Sequence, residues 1–184
     1  MALILPKNYH KVAAIERNGI SWIEPELAER QDIRPLRIGI INIMPLGMQY
    51  EFNLLHPLGL SPLQIEPVWI RLQSHDYKTW DHDHLDQQYR SWEQANASAS
   101  LDGLIITGAP VAHLAYEQVT YWQEMVELVG IARTQCASTL GLCWAGFALA
   151  YLAGVDKTAF AQKLFGGFPM RSLKPAHAPL GRKD

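Results

Sequence analysis

The 184-residue chain is short of cysteine, of charge and of long apolar runs, and each shortage excludes a class of protein. Cys136 and Cys143 are its two cysteines, too few for a disulfide scaffold. In an apolar context without a secretory signal they read as reduced thiols in a reducing compartment. Charged residues make up 18% of the chain, and 16 basic against 18 acidic side chains leave a formal charge of -2. So even a balance offers no electrostatic footprint for nucleic acid or an anionic membrane, and neither partner is expected. No window approaches the roughly 20 apolar residues of a membrane-spanning helix. The opening Met-Ala-Leu-Ile-Leu-Pro has no basic region of a signal peptide, so a cytoplasmic location is expected.

With 48% apolar residues, the composition is that of one soluble domain with room for a short extra arm. Residues 1–35 read as that arm: polar, punctuated by Gly19, Pro25 and Pro35, and anchored by Ile15, Ile20, Trp22 and Ile23. It is expected to lie over the main body and to borrow a core from this chain or from a second copy. Residues 36–184 read as an α/β domain. Leu36 to Asn42 is a nearly continuous β-branched run, as in a strand buried on both faces of a parallel sheet. A short helix follows from Met48 to Leu58, then an alternating strand from Leu63 to Leu72 whose Pro67 suggests an edge or a bulge. The polar stretch from His75 to Ser100 is expected to form a surface helix and loops. Leu101 to Thr107 is a further buried strand, Glu117 to Arg133 an amphipathic helix, Ala137 to Cys143 a strand and Ala145 to Leu152 a helix. Alternation of this kind specifies an α/β fold with a doubly wound, mostly parallel sheet.

Open parallel sheets bind ligands at the carboxyl ends of their strands, which directs attention to the turns after Asn42, Thr107 and Leu142. The third turn contains Cys143. Gly141, Ala145 and Gly146 flank it as small residues flank the nucleophile of a strand-turn-helix elbow, where bulky neighbours would not fit. A free cysteine is more often a buried apolar residue; the position after a strand and before an apolar helix favours a nucleophile instead. A thiolate there gains from the helix dipole, and the backbone N–H of Trp144 is placed to stabilise an oxyanion. Cys136, at the other end of the strand, reads as structural. Of the histidines that might serve as general base, His113 lies on the right edge of the sheet, with Glu117 four residues on. His10, His56, His75, His82, His84 and His177 fall in the arm, at a helix end, in the polar stretch or near the terminus. The Asp81-His-Asp-His84 cluster reads as a solvated face, because alternating positions on a helix point apart, and no metal site is expected.

Together these residues resemble the homoserine O-acyltransferases, also called homoserine O-succinyltransferases or homoserine transsuccinylases. The resemblance runs in order through Gln31-Asp-Ile-Arg-Pro35, Asn42-Ile-Met-Pro45, Ser61-Pro-Leu-Gln64, Leu101 to Pro110, Ser138-Thr-Leu140, Cys143-Trp144 and Lys163-Leu-Phe-Gly166. It implies a glutamine amidotransferase-like (flavodoxin-like) fold and a ping-pong reaction in methionine biosynthesis. In that reaction Cys143 takes an acyl group from acyl-CoA as a thioester and passes it to the hydroxyl of homoserine. No bound cofactor is implied, and a homodimer is expected. Lys163 matches a family lysine associated with substrate binding. The family residue that governs the acyl group corresponds to Ala112, whose lack of a carboxylate favours succinyl over acetyl. Two departures stand out. Leu46-Gly47 replaces a lysine usual after Asn-x-Met-Pro, and the family's catalytic histidine and partner glutamate belong to segments beyond Asp184. The chain is therefore expected to be an amino-terminal portion, its sheet truncated at the C-terminal end, with an unpaired edge and exposed apolar surface. Two alternatives keep the same fold: a glutamine amidotransferase-like cysteine hydrolase, and an impaired homologue acting only by association.

Overall fold

The structure, a computed structural model, describes residues 2–162 and 164–169. Its centre is a parallel sheet of six strands with helices on both faces. In chain order the first elements are β1 (Leu3–Ile4), α1 (Val12–Arg17), β2 (Trp22–Ile23), α2 (Pro25–Ala28), β3 (Leu36–Ile41), α3 (Glu51–Gly59) and β4 (Ile65–Ile70). Then come α4 (His82–Gln88), α5 (Trp92–Asn96), β5 (Gly103–Ile106), α6 (Trp122–Gln135), β6 (Ser138–Gly141) and α7 (Trp144–Leu152). The sheet order is β2-β1-β4-β3-β5-β6, so the chain leaves β3 for β4 on one side and returns to β5 on the other. That reversal opens a crevice outside the carboxyl ends of β3 and β5, the usual ligand site of such sheets.

Alternation along β3 divides the core. Ile41 packs on one face with Ile70, Ile106, Met125, Val129 and Trp144. Ile40 packs on the other with Leu3, Ile15, Leu55, Trp69 and Tyr89. Two-faced burial explains why β3 reads as an unbroken apolar run. Pro67 lies inside β4 opposite Ile38, yet it costs no ladder bond to β3. The neighbouring odd-numbered residues direct their backbone away from β3: the Ile65 N–H donates to Ala2 O, and Trp69 O accepts from the Arg90 N–H. The missing N–H of Pro67 thus falls on the side where β1 has ended, which accounts for the edge signature in an interior strand.

Two expectations need correction. The amino-terminal segment does not lie over the body: β1 and β2 extend the sheet itself, with Leu3 paired to Trp22 and to Ile65. The core it borrows is this chain's own, where Ile15 and Ile20 are buried. Strands of two residues are too short to leave a period in the sequence. The stretch from His75 to Ser100 is also less superficial than its polarity suggests. Tyr77, Trp80, Leu85, Tyr89 and Trp92 are all buried, around two short helices capped by Asp81 and Ser91. Aromatic spacing, rather than overall polarity, carried the information there.

Among the described residues β6 pairs only with β5. Leu140 on it and Phe147 on α7 are 53% and 52% exposed, an apolar margin beside an open strand edge.

Because Ile15 is fully buried, Ile15→Ala should cost about 2–5 kcal/mol, as truncation of a core side chain does. Denaturant unfolding followed by tryptophan fluorescence should show one transition at a lower midpoint. A loss confined to the first 35 residues would show that this segment is not part of the main core.

Candidate functional site

The turns after β3, β5 and β6 meet at the carboxyl edge of the sheet. Cys143 stands at the corner between β6 and α7 with φ 54° and ψ -118°, a left-handed conformation that a side chain adopts only under constraint. The thiol is exposed. Three glycines permit the corner. A Cβ at Gly141 would lie 2.6 Å from the Ala145 carbonyl oxygen, and one at Gly146 would lie 3.2 Å from the Gly141 oxygen. A Cβ at Gly108, in the turn after β5, would come within 2.8 Å of Cys143 Cβ and 3.2 Å of its Sγ. The small residues around Cys143 are therefore steric necessities, as the elbow reading requires. Trp144 is the first residue of α7, so its backbone N–H has no carbonyl partner within the helix. Its indole is fully buried against Tyr116, Tyr121 and Trp122, which fixes the start of the helix.

The turns are tied to one another by polar groups. Thr107 Oγ1 accepts the Ile43 N–H at 2.9 Å and donates to Asn42 Oδ1 at 3.3 Å. Asn42 Nδ2 donates to the Gly47 carbonyl at 3.1 Å and to the Tyr89 hydroxyl at 3.3 Å. Ala112 is exposed on the loop after β5. Lys157 holds that loop: its Nζ donates to Ala112 O at 2.9 Å and to Leu114 O, and lies 4.5 Å from the centre of the Tyr116 ring.

A cavity of about 180 Å³ lies beside this edge, lined among others by Ile43, Pro45, Ala109, Val111, His75 and Tyr121. His75 contacts the rings of Tyr77 and Tyr121 edge-on, with centroids 4.4 and 4.7 Å away. Glu124, in the first turn of α6, accepts the N–H groups of Gln73 and Ser74 at 2.8 Å each and so fixes the turn that presents His75. The Tyr121 hydroxyl is buried with no partner among the described residues, and burial pushes its pKa up to about 12. The sequence places His75 in a polar surface stretch; in the structure the turn after β4 is a fourth carboxyl end beside this edge, and it carries His75.

The other expected residues fare differently. His113 is exposed, and Glu117 is engaged elsewhere, accepting from the Tyr151 hydroxyl at 3.1 Å. Among the described residues no hydrogen bond or ion pair joins His113 to Cys143 or Glu117. Lys163 and His177 lie outside the described residues. Leu46 adopts φ 53°, and a Cβ at Gly47 would lie 1.9 Å from the Trp80 ring, whose Nε1 donates to the Met44 carbonyl at 3.0 Å. Trp80 therefore fills the space that a side chain at residue 47 would need. The solvated-face reading holds for Asp81, His82 and Asp83 but not for His84. His84 turns inward, with Nε2 2.7 Å from Oε1 of the buried Glu51.

A doubly wound parallel sheet presenting an exposed thiol at a glycine-flanked elbow is the framework of cysteine-bearing α/β acyl-transfer and amide-transfer folds. The chain belongs to the homoserine O-succinyltransferase family, whose sequence model matches residues 2–184. Similar curated proteins are named homoserine O-acetyltransferase. That of Jannaschia sp. is 39% identical over 178 residues, covering 96% of this chain and 57% of its own length. That of Roseobacter denitrificans is 40% identical over 177 residues, covering 96% and 58%. That of Bacteroides thetaiotaomicron is 41% identical over 179 residues, covering 97% and 58%. The chain thus spans less than three fifths of the length of these relatives.

Burial of the His75 imidazole lowers its pKa from the ordinary 6.5, outweighing the opposite pull of Asp76 and Glu124. The neutral ring is the form the fold prefers. His75 therefore contributes stability that is present above pH 6.5 and is lost as pH falls through that value toward the folded pKa. Its ring NMR signals should titrate below 6.5, and His75→Gln should flatten the acid limb of the stability curve. A midpoint at or above 6.5 would contradict this environment.

Proposed function

We propose that the chain carries the acyl-accepting half of a homoserine O-acyltransferase, with Cys143 as nucleophile. The observation that carries the reading is the exposed thiol at a left-handed corner, pressed against Gly108 at the carboxyl edge of the sheet. The Cys143 thiolate attacks the thioester carbonyl of acyl-CoA, with the developing oxyanion facing the Trp144 N–H. The carbon–sulfur bond to CoA breaks and CoA leaves as its thiol. The homoserine hydroxyl then attacks the enzyme thioester, loses its proton to a base and releases the Cys143 thiolate. Exchange between two thioesters is close to isoenergetic, so the first half needs positioning more than driving force. The second half needs a general base, a contribution typically of about 10²–10⁴ in rate. His113, the best placed of the histidines by sequence, has no hydrogen bond to orient it toward the thiol among the described residues. Lys163 is assigned to the homoserine carboxylate by family resemblance, and the acting unit is a cytoplasmic homodimer.

The donor is succinyl-CoA. Ala112 supports this because it places no carboxylate where the acyl group would carry its own. The names of the relatives favour acetyl-CoA instead, so both donors belong in the test. The chain should be incubated with each acyl-CoA separately and then in competition, and intact mass recorded before and after homoserine is added. Expected is a succinyl adduct on the wild type, absent from Cys143→Ser, and discharged faster by homoserine than by serine, glutamine or water. An acetyl adduct that prevails in competition would reverse the donor assignment. Equal discharge by water would establish the hydrolase alternative. No adduct from either donor would leave association with another chain as the role.

A further inference from the structure

A second cluster of reactive side chains lies apart from the cysteine corner, where three distant segments meet. Glu51, at the start of α3, has a side chain with no solvent exposure. Each of its oxygens faces an imidazole: Oε1 is 2.7 Å from His84 Nε2 on α4, and Oε2 is 3.5 Å from His10 Nε2 in the turn before α1. Two phenols also bind the carboxylate. The Tyr89 hydroxyl donates to Oε1 at 2.9 Å and the Tyr9 hydroxyl donates to Oε2. Among the described residues no lysine or arginine pairs with Glu51, although a buried carboxylate without a compensating cation is costly.

We propose that His10, Glu51 and His84 form a binding site for one divalent cation of the zinc class. Their ligand atoms all lie within 4.8 Å of one another. A tetrahedral centre with bonds of about 2.0–2.1 Å needs ligand atoms roughly 3.3 Å apart, so the observed spacings require shifts of tenths of an ångström to about one and a half. Two imidazoles and one carboxylate are a borderline donor set that suits Zn²⁺ or Co²⁺, whereas Mg²⁺ and Ca²⁺ select oxygen. The His10 side chain remains 28% exposed, which leaves an entry path and room for a water as fourth ligand. Tyr9 and Tyr89 orient the carboxylate as outer hydrogen-bond partners do in metal centres. Bound there, the ion would fasten the amino-terminal strands to α3 and α4.

Chelator-treated protein should be titrated with Co²⁺ and its visible spectrum recorded, then back-titrated with Zn²⁺. Expected are d–d bands of a nitrogen and oxygen site saturating at one equivalent and bleached by Zn²⁺, with Zn²⁺ raising the unfolding temperature. His84→Ala should remove the bands. His10→Asn, at the more exposed ligand, serves where His84→Ala fails to fold, and it should weaken binding by at least about 100-fold. Tyr89→Phe should weaken it by about 10–100-fold. The response should persist when Cys136 and Cys143 are both replaced by serine. Absence of the bands in the wild type, their loss with the cysteines, or their survival in His10→Asn overturns the site.

Discussion

The contact on which the candidate site depends is the one between a missing side chain and a present one. Gly108 ends the β5 turn directly against Cys143, and a methyl group there would overlap the cysteine. The close approach brings two strand ends near enough to share one crevice. It also confines the corner, together with Gly141 and Gly146, to a conformation with positive φ. That strain, of order 1–3 kcal/mol for a residue with a side chain, persists only because the surroundings over-determine it. The buried indole of Trp144 and the wholly apolar seat of α7 supply the determination. An exposed sulfur is therefore held next to fully buried side chains at the start of α7.

Polar contacts extend the same constraint across the sheet. Asn42 and Thr107 end neighbouring strands and bond to each other and to the turn backbone, so neither turn can move alone. Asn42 also reaches Tyr89, and Tyr89 reaches Glu51. A continuous path of buried hydrogen bonds thus joins the crevice to the amino-terminal segment at Tyr9 and His10. Buried networks of this kind rigidify when every member is satisfied. Here the satisfaction is shared among residues from five different stretches of chain.

What the sequence disclosed follows from the range of the interactions involved. β3 and β5 were legible because burial on both faces demands uninterrupted apolar residues. The elbow was legible because two of its three glycines, Gly141 and Gly146, fall within six consecutive positions, whereas Gly108 lies on another strand turn. Family resemblance added the chemistry of the cysteine, which spacing alone left open. The strands at Leu3 and Trp22 left no period because each contributes two residues. His84 was misread because its partner lies 33 positions away on another helix, and nothing local distinguishes it from the exposed His82. His75 read as surface because its stretch is polar, whereas the structure half-buries its ring against Tyr77 and Tyr121.

The turn at Leu46-Gly47 is closed by packing rather than by a charged side chain. Trp80 closes over Gly47 and donates its indole N–H to the Met44 carbonyl. In the proposed reaction, stabilisation of an oxyanion at Cys143 falls on backbone donors at the start of α7. Backbone N–H groups at a helix N-terminus are already oriented and lose no side-chain entropy when they bind. The tight corner at Cys143 thus does two things through one geometry: it exposes the sulfur, and it leaves the first N–H of α7 without a carbonyl partner inside the helix.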